Sequence, residues 1–186
     1  MKKIAIICSV IFLFSCQSKT EINKSGFFDF PAFFEKEAKQ LDLKSPLMVR
    51  KTVSEGESVN TFDSAVRDWK KELQLFEILN LNAVKNKNIY SVSVDSSKGL
   101  SIERYTTEDT TVELQEVSIT RKNNRIELIE AFTKLRSFWV DREMRLSYQP
   151  YRGYGMLITE DYIWSKKSTR EIYAEIDGTL SGFMEK

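Results

Sequence analysis

The chain has 186 residues, with 28 Lys and Arg against 27 Asp and Glu, two Cys and no His. The missing histidine removes Ser-His-Asp and Cys-His catalysis, imidazole general-base chemistry and His-based zinc sites. A net charge near zero with no long block of one sign leaves no footprint for nucleic acid. The chain also lacks a Gly-rich phosphate loop, G-x-S-x-G, S-x-x-K and an EF-hand pattern, which argues against the common hydrolases and nucleotide enzymes, and no cofactor or metal site is expected.

At the N-terminus, Met1-Lys2-Lys3 precedes an almost wholly apolar run from Ile4 to Phe14. A basic start and an apolar stretch of roughly 7–15 residues form the layout of an export signal. The run is shorter than the about 20 residues that span a bilayer. It ends in Leu13-Phe14-Ser15-Cys16. This tetrad resembles the lipobox of bacterial lipoproteins, and its Phe-Ser-Cys form is similar to that of Bacteroidetes lipoproteins of unknown function. The resemblance implies diacylglycerol on the Cys16 thiol, and residues 1–15 as a cleaved signal peptide. Phe14 departs from the small residue commonest at its place. By the same resemblance, Gln17 rather than aspartate favours the outer membrane. Glu21, the single acid in 17–26, favours its periplasmic side. Cleavage would remove Cys8 and leave no second thiol for a disulfide.

Residues 16–26 are polar and without hydrophobic period, and read as a flexible tether; 27–186 read as one domain. The spacing over 27–43 predicts a helix. Asp29 suits the N-cap, Pro31 the first turn, and Phe28 with Phe33 a hydrophobic staple. Phe30, Phe34, Ala38 and Leu41 make one apolar stripe, and Glu37 falls inside it. The cluster of Phe27, Phe28, Phe30, Phe33 and Phe34 could wall an acyl site, but helical spacing alone explains nearly every ring. Residues 47–60 predict a hairpin turning at Glu55-Gly56. Residues 61–81 predict a second helix capped by Asn60 or Thr61, with Phe62, Ala65, Val66, Trp69, Leu73 and Phe76 on one face.

From Asn88 the pattern changes to period two. Strands are predicted at 89–95, 99–106, 111–121, 125–133, 136–148, 152–160 and 169–177. Turn signals separate most of them, at Ser96–Gly99, Glu108-Asp109, Lys122–Asn124 and Pro150 with Gly153. The phase slips near Gln115-Glu116, which predicts a bulge. Short connections predict an antiparallel meander. The fold class is therefore α+β: two N-terminal helices packed on a curved, half-barrel-like antiparallel sheet. At the level of fold alone this is similar to the open half-barrels of periplasmic lipoprotein carriers.

Three groups of residues are candidates for function. Arg142 shares a predicted strand face with Phe138, Val140, Met144 and Leu146. Arg142 and Glu37 therefore form a candidate buried charge pair, with each other or with another charge under the sheet; the plainer reading has both snorkelling to water. Tyr148, Tyr151 and Tyr154 crowd one turn and form a candidate ligand or partner surface, unless their rings simply pack. Lys166, Lys167 and Arg170 read as a solvated loop, or as a contact for anionic headgroups. The expected function is a lipid-anchored envelope protein, held to the membrane at Cys16. Its domain would bind another envelope protein or an apolar ligand without catalysis. One alternative is a carrier or chaperone with a cavity between sheet and helix. Another is an enzyme with two carboxylates facing each other across a cleft within about 10 Å.

Overall fold

The computed structural model describes residues 26–54, 57–63, 68–83 and 89–176. Cys16 and the rest of the N-terminal segment lie outside the described residues. The first element, α1 (Phe30–Lys44), starts as its sequence predicts: the Asp29 carboxylate accepts from the Ala32 N–H at 3.0 Å, and Pro31 occupies the first turn. The Phe28 and Phe33 rings meet at 5.8 Å, closing the staple. Ser45, in the left-handed region, ends the helix by donating its N–H to the Leu41 carbonyl.

A hairpin follows, β1 (Met48–Ser54) and β2 (Glu57–Asp63). β2 absorbs residues that the helical reading of 61–81 had claimed. Thr61 pairs with Arg50 and Phe62 with Val49, so Asn60 and Thr61 are ladder residues rather than caps. Ser58 to Phe62 combine β-branched and aromatic residues, which fit a pleated surface once β1 lies alongside. The helix starts later and is short. α2 (Trp69–Glu72) is capped by Asp68, whose carboxylate accepts from the Lys71 N–H at 2.9 Å. It passes into a 3₁₀ segment at Leu73–Leu79. There the buried residues are Leu73, Phe76 and Leu79, a spacing of three that matches the 3.0 residues per turn of this helix.

Seven strands complete the described residues: β3 (Ser91–Ser97), β4 (Leu100–Thr106), β5 (Leu114–Lys122), β6 (Arg125–Arg136), β7 (Val140–Gln149), β8 (Gly153–Tyr162) and β9 (Ser168–Ile176). All pair antiparallel in one open sheet of order β2-β1-β9-β8-β7-β6-β5-β4-β3. Two tight turns, at Lys98-Gly99 and Asn123-Asn124, carry positive φ at both central residues, which matches the right-handed twist of the strands they join. The expected bulge is present: Leu114 pairs with Thr133 and Glu116 with Phe132, so Gln115 is extra on β5. A second slip lies between Thr120 and Arg121. Bulges raise local twist, and the pair β5–β6 curves the middle of the sheet.

The register assigns each strand two faces. One carries Tyr105, Val117, Ala131 and Leu146 in one row, and Ile119, Ile129, Tyr148, Tyr154 and Ala174 in the next. All nine are buried. The helices cover this face: the Phe30 ring meets Tyr105 at 6.3 Å, Phe34 meets Tyr148 at 5.1 Å and Phe76 meets Tyr154 at 6.0 Å. Phe34 and Phe76 stack at 4.5 Å, which locks α1 to the 3₁₀ segment.

Candidate functional site

The opposite face of the sheet carries no helix among the described residues. Its central row, read across the register, is Arg104, Ser118, Glu130, Ser147, Gly155 and Tyr173. Ser118, Ser147 and Gly155 are small, so the sheet has a low floor there. Two residues along the strands from Arg104, Glu130 and Gly155, the apolar side chains of Ile102, Phe132 and Leu157 line the same cleft. Together they enclose a cleft of about 430 Å³, within the about 300–1,000 Å³ of small-ligand sites. Gly155 is needed for this shape: a Cβ there would lie 2.9 Å from the Ser147 hydroxyl and 3.6 Å from the Tyr173 ring.

Charges of both signs rim the cleft. The Arg145 guanidinium lies 5.4 Å above the Phe132 ring, and Arg104 pairs with Asp95 at 3.3 Å. Glu130 pairs in register with Ser118, which places Glu116 diagonally across from it, about 7–8 Å between backbones. Both acids are exposed to water, and arginines stand beside them. They form a charged rim rather than a desolvated acid–base pair. Among the described residues, the carboxyls that burial pushes upward are Glu37 and Glu175. They lie on opposite sides of the sheet and share no cleft.

The sequence-predicted residues sit elsewhere. Glu37 is buried on α1 and accepts a hydrogen bond from the Tyr148 hydroxyl at 2.8 Å. Arg142 pairs instead with Glu113 at 2.9 Å. Glu37 and Arg142 are not partners, because Arg142 lies six residues along β7 from Tyr148, about 20 Å of strand. Phe138, expected on the Arg142 face, lies in the β6–β7 turn and is 74% exposed. The three tyrosines are not one surface. Tyr148 and Tyr154 are buried side by side in register, and their hydroxyls donate to Glu37 and Glu72. Glu72 also holds Arg50 at 2.6 Å. Only Tyr151 is exposed. Its hydroxyl donates to Gln40 at 2.6 Å, and Lys44 lies over its ring at 4.1 Å.

Burial and the adjacent Glu37 carboxylate both push the Tyr148 hydroxyl upward, so it remains a donor at any ordinary pH. A crease of about 570 Å³ opens above Glu37, between α1 and the β5–β6 and β7–β8 turns. Its rim carries exposed Lys36, Arg125 and Arg152. The cleft on the bare face is built on strands, which hold a site more rigidly. The space between helices and sheet is occupied by Phe30, Phe34, Phe76 and Tyr148.

Sequence reasoning missed Ser118, Ser147 and Gly155. The available signal was a small residue at the outward position of three long strands, where large or charged residues alternate with the core. No family model, curated protein or solved structure matches this chain.

Proposed function

We propose that the chain is a bacterial envelope lipoprotein, tethered through lipid on Cys16, whose domain is a non-catalytic binding module. Its binding surface is the bare face of the sheet, and the observation that carries this is the low floor of Ser118, Ser147 and Gly155 beside apolar side chains. The floor accepts a narrow ligand lying against the strands. The mixed rim of Arg104, Arg145, Glu116 and Glu130 favours one with charges of both signs, such as a peptide. Aromatic packing between helices and sheet speaks against a carrier that stores lipid there. Glu116 and Glu130 stand close on the cleft rim, but both are exposed to water beside arginines, and the buried Glu37 and Glu175 lie apart, which together speak against a carboxylate enzyme.

The test is amide chemical-shift mapping of the protein against short peptides, disaccharides and a fatty acid. The reading predicts saturable shifts at Ser118, Ser147 and Gly155 with one class, abolished by Ser147→Leu, which fills the floor from an accessible position. Shifts centred on Phe34 and Phe76 with the fatty acid would instead support the carrier.

A further inference from the structure

The β6–β7 and β8–β9 turns end in Ser137-Phe138-Trp139 and Ile163-Trp164-Ser165-Lys166-Lys167. Of these eight residues four are large and apolar, two are lysines and none is acidic. Phe138, Trp139, Ile163 and Trp164 are 74%, 56%, 64% and 67% exposed. They form one patch. The Trp139 and Trp164 rings lie 5.4 Å apart, Phe138 packs edge-on to Trp139 at 4.4 Å, and the Ile163 N–H donates to the Trp139 carbonyl at 3.3 Å. The turns cap long paired strands, so the rings are presented together from a rigid support.

We infer that this double tip docks on the lipid–water interface of a bilayer bearing anionic headgroups. Tryptophan rings favour that interface, and each nearby lysine is attracted by anionic lipid. Arg136 stands exposed at the base of the first turn. Acids stand behind the tips: Asp141 and Asp161 are in register with each other on β7 and β8, and Glu143 on β7, which pairs with Lys134, also feels the charge of Lys167. A protein partner fits less well. At the observed exposures the four side chains offer roughly 550 Å², taking about 150–250 Å² for each large side chain when fully exposed, against about 800 Å² per partner in a stable complex. Nine residues lie between Cys16 and Gly26, at most about 35 Å of chain. A lipid at Cys16 would therefore keep the domain within reach of its own membrane. The docking rests on the envelope reading for its membrane, but uses a different site from both the anchor and the cleft.

The experiment is tryptophan quenching of the full native chain, purified from membranes and incorporated in vesicles of phosphatidylcholine with a minority of phosphatidylglycerol, the lipids brominated near the glycerol end of the acyl chain. Trp69 is buried in the core and serves as the unquenched reference. Docking predicts bromine-dependent quenching that falls when either Trp139 or Trp164 is replaced by leucine. The double variant Lys166→Glu, Lys167→Glu, which keeps all three tryptophans, should lose most of it. Protein that floats with the vesicles yet shows no quenching overturns the docking and leaves the anchor standing. Protein that does not float overturns both. Emission that changes with protein concentration in the absence of lipid assigns the patch to a second copy and also overturns the docking.

Discussion

Glu37 is the residue whose environment has the clearest thermodynamic consequence. Burial raises its pKa, while the Tyr148 hydrogen bond and the charges of Lys36 and Lys44 pull it partly back. The folded pKa therefore lies above the unfolded one. Its favourable contribution is complete below the ordinary carboxylate range and is lost as pH rises through the folded pKa. Glu37→Gln keeps an acceptor for Tyr148 and removes the buried charge. It should raise stability at neutral pH, with the gain vanishing near pH ~4, where glutamate is about half protonated when unperturbed. Urea unfolding at the two pH values checks this; an equal effect at both would contradict it. Glu72→Ala removes the acceptor shared by Arg50 and Tyr154, and should cost about 2 kcal/mol in the same assay. Gly153 allows the backbones of β8 and β9 to approach: a Cβ would meet the Ala174 carbonyl oxygen at 1.9 Å, and φ is +133°. Gly153→Ala should therefore cost about 2 kcal/mol or more.

Among the elements, the 3₁₀ segment makes the sharpest demand. Burial repeats every three residues there, so Phe76 carries the contact with Phe34 and Tyr148 while Leu75 is only half-buried. Phe76→Ala should cost about 3–5 kcal/mol and Leu75→Ala clearly less. Comparable losses in denaturant titrations would mean that the segment is an ordinary α-helix. This element also shows what the sequence could carry. Local signals were legible: the Asp29 cap, the Phe28–Phe33 staple, the bulge at Gln115 and both tight turns follow from neighbouring residues. The start of α2 was not. Phe62 falls on a helical stripe with Trp69, Leu73 and Phe76 in the sequence, and only the partner strand β1, with backbone groups to satisfy, makes Thr61–Asp63 part of a strand. Phe138 was misplaced for a related reason, since an apolar residue in a turn looks like strand until the hairpin closes.

At the scale of the whole molecule, the pairing of β1 with β9 joins segments over a hundred residues apart and has no local signal. The meander from β3 to β9 was legible because each strand needs only its neighbour. The cleft was not, because its floor is drawn from three strands, and a small residue becomes meaningful only beside other small residues in the same row. Among the described residues the result is a sheet with one face spent on the core and one that no helix covers, with an aromatic and basic tip at the ends of its central hairpins. In the account proposed here, lipid on Cys16 holds that body at a membrane, where both surfaces have something to meet.

Intact-mass spectrometry of the native protein extracted from cell membranes addresses that attachment most directly. The account predicts a chain beginning at Cys16 and heavier than its peptide by a diacylglyceryl group, with Cys16→Ala recovered unprocessed and without the added mass. A native chain that retains Met1 and an unmodified Cys16 would contradict it.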